Sequence, residues 1–265
     1  MSGALLCVIT NIATPENALR RTVGGVDFSK HASSFGAAAD LYDRIRPRYP
    51  LDALRWALDG AEQRIVDLGA GTGILTRQLR ELGHHVIAVE PDDEMRRQID
   101  GDARAGSATA IPVDAESQDA VTAGQAYHWF AGEPAHTEIA RVLKPGGRFI
   151  PIWNVRDESV PWVAALSDVF DGHRARSAID ERELTPDEFG PLFSTAELKL
   201  FKWSTPHTID SLVDLIRSRS YYLVSDADTR VALEQRVREL AGQTFGAAER
   251  FELPYVTYTY RAAKF

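Results

Sequence analysis

The stretch IVDLGAGTGILTRQLRELGHHVIAVEP, residues 65–91, decides the fold. Ile65, Val66 and Leu68 make a short apolar run, as expected of a parallel strand buried on both faces. Asp67 precedes Gly69, Gly71 and Gly73, spaced G-x-G-x-G. Glycines there admit positive φ and leave no Cβ between the turn and a ligand. Leu75, Leu79 and Leu82 form one stripe of a helix that stops at Gly83. Val86 to Val89 make a second strand, with Glu90 at its carboxyl end. The unit is strand, glycine turn, helix, strand, and its acid stands where parallel sheets place ligands.

The ligand class follows from details of that turn. A dinucleotide fingerprint needs its third glycine at position 74, where the chain has Ile74. An acid at the end of the second strand suits ribose hydroxyls, which nucleotides and S-adenosylmethionine both carry. VDLGAGTG over 66–73 and VIAVEP over 86–91 resemble the first two motifs of class I S-adenosylmethionine-dependent methyltransferases, the methyltransferase-11-like family. The resemblance implies an α/β fold: a Rossmann-like seven-stranded sheet, mostly parallel with an antiparallel last strand, and helices on both faces. It implies S-adenosyl-L-methionine as cofactor, with Asp67, Gly69, Gly71 and Gly73 shaping its turn and Glu90 on the ribose.

Other segments extend the resemblance. FSKHASSFGAAADLYDRIRPRYP, residues 28–50, is similar to the segment that precedes the core in this family. A helix is expected over 37–45, ending before Pro47 because the residue preceding proline avoids helical geometry. Tyr42, Arg44, Arg46 and Tyr49 would fold over the mouth of the sheet. Arg46 would meet the cofactor carboxylate and Tyr42 would face the sulfonium; a solvated basic turn with buried tyrosines is the alternative. GSATAIP over 106–112 matches the adenine element except that Thr109 replaces the usual acid, and it implies Ser107 and Ala108 as the adenine wall. The strand before it is poor in large apolar residues and is expected to be short and at an edge. QAYHWF over 125–130 follows the fourth strand, 119–124. Gln125 would bond the methionine end, and Tyr127, His128, Trp129 and Phe130 would sit near the methyl group. His128 has the side chain suited to proton transfer near neutrality and is the catalytic candidate; a capping histidine is the plainer reading. His136 is expected on a surface or in the core. LKPGG over 143–147 supports the fold as a helix end and turn before a fifth strand, 148–153.

Beyond Asn154 the pattern predicts helices over 162–170, 211–220 and 228–241 and a sixth strand within 193–209. The strongly alternating FELPYVTYTY, residues 251–260, predicts a last strand, antiparallel at the sheet edge. Residues 1–30 read as an extension, and 31–265 as one domain with a cap from about 31–50 and an insert at about 155–192. Arg46, Arg48, Arg156 and Arg174 are candidates for an anionic acceptor, against the alternative of solvated arginines.

Composition narrows the function. The 265 residues carry 30 basic and 38 acidic side chains, a formal charge of −8, which disfavours a phosphate backbone as partner. A small-molecule acceptor is favoured over nucleic acid. No apolar run reaches the roughly 20 residues of a membrane span, and no secretory leader is evident. The single Cys7 excludes an internal disulfide framework, lies outside the motifs, and removes the thiol that cytosine-C5 methyltransferases use. A cytoplasmic monomer or homodimer without metal is expected. Two other classes stay open: a non-catalytic S-adenosylmethionine-binding scaffold, and a nucleotide-dependent oxidoreductase, which Ile74 disfavours.

Overall fold

The computed structural model describes residues 45–59, 61–171, 184–185, 187–219, 222 and 225–265. Tyr42, Arg44, Arg174, residues 1–30 and all but the last residue of the helix expected over 37–45 lie outside them.

Seven strands form one sheet. In chain order they are β1 (Arg64–Leu68), β2 (His85–Val89), β3 (Ala103–Arg104), β4 (Gln118–Gly124), β5 (Leu143–Arg156), β6 (Glu197–His207) and β7 (Phe251–Ala263). Their spatial order is β3-β2-β1-β4-β5-β7-β6. β1 to β5 pair in parallel, and β7 runs antiparallel to both β5 and β6. The order reverses between β1 and β4, which opens a crevice at the carboxyl ends of those strands.

The helices are α1 (Leu51–Leu58), α2 (Ile74–Glu81), the single turn α3 (Asp93–Arg96), α4 (Glu133–Val142), α5 (Pro161–Asp171), α6 (Ile209–Arg217) and α7 (Ala227–Phe245). Alternate strand residues sort them into layers. Ile65, Val86, Ala120, Ile150 and Ile152 pack against Leu54 and Leu58 of α1 and Leu75 and Leu79 of α2. Val66, Leu68, Val121 and Phe149 pack on the opposite face with Ile139 of α4, Phe189 and Phe193. A third cluster joins α5, α6 and α7 to Phe251, Leu253 and Tyr255 of β7.

Two expectations change. The last strand is not at the edge: β7 lies between β5 and β6, and β6 is the outer strand. Alternation reports which faces are buried, not which neighbours a strand has; Thr257 and Thr259 are fully buried while Leu198 and Leu200 of β6 are exposed. The Lys144–Gly147 run is not a turn before the strand. It belongs to β5, which begins pairing at Leu143 and shifts register opposite Gln118 and Ala120. Gly146, at φ +76°, takes up that irregularity. As expected, β3 is two residues long and at the edge. The β3–β4 connection, residues 105–117, contains no helix.

Candidate cofactor and acceptor site

β1 ends in the glycine turn. Gly69 N–H donates to the Val89 carbonyl at 2.8 Å, joining the turn to the end of β2. Gly69, Gly71 and Gly73 have φ of +68°, +58° and +84°. A Cβ on Gly69 would lie 2.8 Å from the Ala126 Cβ, so the turn after β4 closes directly on it. A Cβ on Gly71 would meet nothing within 4 Å: this part of the turn faces open space.

Glu90 is buried beside that opening. One carboxylate oxygen accepts Gly71 N–H at 2.8 Å and the other accepts Asp92 N–H at 2.9 Å. Each oxygen keeps a second lone pair, so the carboxylate is a fixed acceptor for two neighbouring hydroxyls. Asp92 in turn caps α3 by accepting from Glu94 and Met95 N–H.

Asp67 lies beneath the turn, 1% exposed, and accepts hydroxyl bonds from Thr76 on α2 at 2.6 Å and Thr122 on β4 at 3.0 Å. It ties three elements together and shapes the turn from below. Burial pushes its pKa up to about 6, with the two hydroxyl bonds opposing and the Glu90 charge adding. A carboxyl raised from 3.8 to about 6 costs stability as the unfolded chain ionises first. The cost is absent below pH 3.8, grows up to about pH 6 and is complete above it, reaching about 3 kcal/mol. Asp67→Asn is therefore expected to remove this fall from the curve of unfolding free energy against pH. Parallel curves for parent and variant between pH 4 and 6.5 would refute the assignment.

The loop after β3 assembles next to Glu90. Glu90 N–H donates to the Arg104 carbonyl, and Ser107 and Ala110 exchange backbone bonds at 3.2 and 3.1 Å. Gly106 is required by crowding, since a Cβ would lie 2.7 Å from Pro112 Cδ and 2.9 Å from Val89 Cγ1. Ala108 is buried, and the Ser107 hydroxyl lies 3.3 Å from that of Thr109. In place of a crossover helix, α4 holds this loop: Glu138 accepts Ile111 N–H, and Arg141 donates to the Ile111 and Val113 carbonyls.

The turn after β4 splits its residues between two environments. Gln125 has φ +57° and donates from Nε2 to the Asn154 carbonyl at 2.9 Å. His128 is half-buried, with its ring centroid 4.8 Å from that of Trp129, which is 72% exposed. Tyr127 goes inward: it is fully buried, its hydroxyl 2.8 Å from His136 Nε2 and donating to Glu188 at 3.3 Å. Burial drives the Tyr127 phenol well above its ordinary value, and burial lowers the His136 pKa against the opposing charge of Glu188. Tyr127 and His136 are core residues that fasten the turn, not lining.

The segment 46–50 crosses the sheet end as a strap. Gln78 on α2 clamps Tyr49 at both backbone groups, at 2.8 and 2.9 Å. Asn154 Nδ2 donates to the Pro47 and Arg48 carbonyls while its Oδ1 accepts the Thr257 hydroxyl at 2.7 Å. The Tyr49 hydroxyl occupies space beside Gly124, where a Cβ would be 2.6 Å away. Arg46 is half-buried and donates to the Ser218 carbonyl at 3.5 Å; Arg48 is exposed and pairs with Glu81. Sequence reasoning did not single out Asn154 as the strap anchor. Its signal is a polar residue directly after the apolar run of β5.

A seven-stranded sheet with this order, a glycine turn after β1 and an acid ending β2 define a class I methyltransferase. The methyltransferase-domain family matches residues 66–150. An uncharacterised methyltransferase of Mycobacterium tuberculosis is 39% identical over 236 residues, covering 86% of this chain and 95% of the relative. One from Schizosaccharomyces pombe is 39% identical over 191 residues, covering 68% and 75%. A solved structure from Anaeromyxobacter dehalogenans shares the fold, with TM-score 0.56 at 23% identity over 83% of this chain and 97% of that one. The chain belongs to the class I S-adenosylmethionine-dependent methyltransferases.

Proposed function

We propose that the chain binds S-adenosyl-L-methionine at the carboxyl ends of β1, β2 and β4 and transfers its methyl group to a small-molecule acceptor. The Glu90 carboxylate carries this reading, because it is fixed by two backbone N–H groups beside the open side of Gly71. Ribose hydroxyls are the donors that suit it. Ser107 and Ala108 line the adenine side, and Gln125 and Arg46 serve the methionine end.

The bound cofactor would supply a sulfonium methyl group, which an acceptor lone pair would take as the carbon–sulfur bond breaks and its electron pair returns to sulfur. The protein's work is alignment and exclusion of water. His128, on the turn after β4, takes the proton when the acceptor is an N–H or O–H group. The acidic balance of −8 supports a small acceptor. Among the described residues no helix is long and apolar enough to cross a membrane.

Calorimetric titration with S-adenosylmethionine, S-adenosylhomocysteine and NAD tests the cofactor. Micromolar binding of the two sulfur nucleosides and none of NAD is expected. Binding of NAD and of neither sulfur nucleoside would overturn the reading.

A further inference from the structure

Residues 47–49 of the strap belong to neither helix nor strand, and two side-chain amides hold four of their backbone groups. Gln78 makes its two bonds to Tyr49 at 2.8 and 2.9 Å. Asn154 reaches the Pro47 and Arg48 carbonyls at 3.3 and 3.2 Å, so the β5 side is the looser end. Asn154 follows Ile150 and Ile152 on the face of β5 that α1 and α2 cover. Its own carbonyl accepts Gln125 Nε2 at 2.9 Å. One residue therefore fastens both the strap and the turn after β4. Between its two holds the strap spans the crevice, since the Tyr49 hydroxyl crowds Gly124 at the end of β4 beside Leu75 of α2.

The direction of the Asn154 amide is set from behind. Thr257, opposite Asn154 on β7 and fully buried, donates its hydroxyl to Asn154 Oδ1 at 2.7 Å. The same hydroxyl oxygen accepts Trp203 Nε1–H from β6 at 2.8 Å. The Trp203 ring stacks on Tyr255, with centroids 5.3 Å apart and planes at 27°, which fixes the indole. An indole N–H can only donate, so the single hydroxyl proton is left for Asn154. The amide must then turn its oxygen to Thr257 and its nitrogen to the strap. Turned over, its oxygen would face two carbonyl oxygens with no donor among them.

Resting on the methyltransferase reading above, we propose that Thr257 and Trp203 are positioning residues that act through Asn154 to hold the strap closed over the cofactor crevice. The relay runs from the outer strand β6 through β7 and β5 to the strap. It sets how firmly the bound nucleoside is retained, and its effect on the cofactor passes entirely through the orientation of one amide.

The test separates hydroxyl from methyl at position 257, on the full chain. Thr257→Val keeps the shape and loses the hydroxyl, whereas Thr257→Ser keeps the hydroxyl and loses the methyl. By calorimetry, S-adenosylhomocysteine binds the valine variant about fivefold more weakly or worse, the loss of one buried hydrogen bond. The serine variant restores the parent affinity. Thr259→Val is the matched control: Thr259 shares the strand face, is equally buried, and its hydroxyl has no partner among the described residues. Amide exchange at Tyr49, whose N–H donates to Gln78, reads the strap in the free protein. It quickens by a similar factor in Thr257→Val and in neither of the other two. If Thr257→Val fails to fold, Trp203→Phe, which keeps a ring on Tyr255 and loses the N–H, shifts both readings the same way by less. Parent-like Tyr49 exchange in the valine variant or its substitute, or equal loss of affinity in Thr257→Ser or Thr259→Val, overturns the proposal. Failure of S-adenosylhomocysteine to bind the parent would refute the cofactor reading instead, and the exchange rates still decide the relay.

Discussion

Glu90→Ala is expected to lose S-adenosylhomocysteine binding by a factor on the order of 10² to 10⁴. Each hydroxyl bond to an ionised carboxylate contributes about 1.5–3 kcal/mol, and the ribose offers two. The alanine also leaves the Gly71 and Asp92 N–H groups without their acceptor, so the glycine turn loosens even in the free protein. Glu90→Gln separates the two effects. Its amide keeps one accepting oxygen and the side-chain shape but loses the charge and the second acceptor, so its affinity falls between parent and alanine. Calorimetry of the three proteins reads the series directly. Unchanged affinity in Glu90→Ala would remove the carboxylate from the cofactor site, whatever the fold.

Gly69→Ala and Gly71→Ala should differ sharply although the glycines share the left-handed region. At both, an alanine pays roughly 1–2 kcal/mol of backbone strain. At Gly69 the new methyl also lands 2.8 Å from the Ala126 Cβ, and overpacking of that kind costs about 1–3 kcal/mol more. Gly69→Ala is therefore expected to lose about 2–5 kcal/mol of stability in denaturant unfolding and to push the turn after β4 away from β1. Gly71→Ala should lose only the strain term and remain well folded, while its methyl occupies the open side of the turn and weakens cofactor binding. Equal destabilisation by both, or unimpaired binding by Gly71→Ala, would show that the open space at Gly71 is not where the nucleoside lies.

The glycine turn, Glu90 and the first two strands were legible because their information is local. A turn that needs positive φ, a strand buried on both faces and an acid at its end are all written within 27 consecutive residues. The place of β7 was not legible, because strand order is settled by pairings across long stretches of chain. Tyr127 shows a second limit. Its position after β4 marks it for the crevice, yet its hydroxyl reaches His136 and Glu188, nine and sixty-one residues away. Which side of a turn a residue takes depends on what waits there. Asn154 and Thr257 belong with it: a strand-end amide and a threonine within a strand carry no motif, and only the tertiary structure gathers them at the strap.

The internal position of β7 bears on how the chain comes off the ribosome. β6 emerges with Leu198, Leu200, Phe201 and Trp203 on it, and its partner in the sheet is β7, on the far side of residues 208–250. Throughout that interval the nascent chain holds an apolar strand with an unpaired backbone, the kind of segment that seeks a strand in another molecule. Lys199 and Lys202 stand within that strand and Pro206 near its end, residues that discourage such pairing. The β1–β5 half is complete much earlier, so synthesis proceeds against a finished half-sheet whose β5 edge stays open until residues 251–263 arrive to fill it and bring β6 in behind.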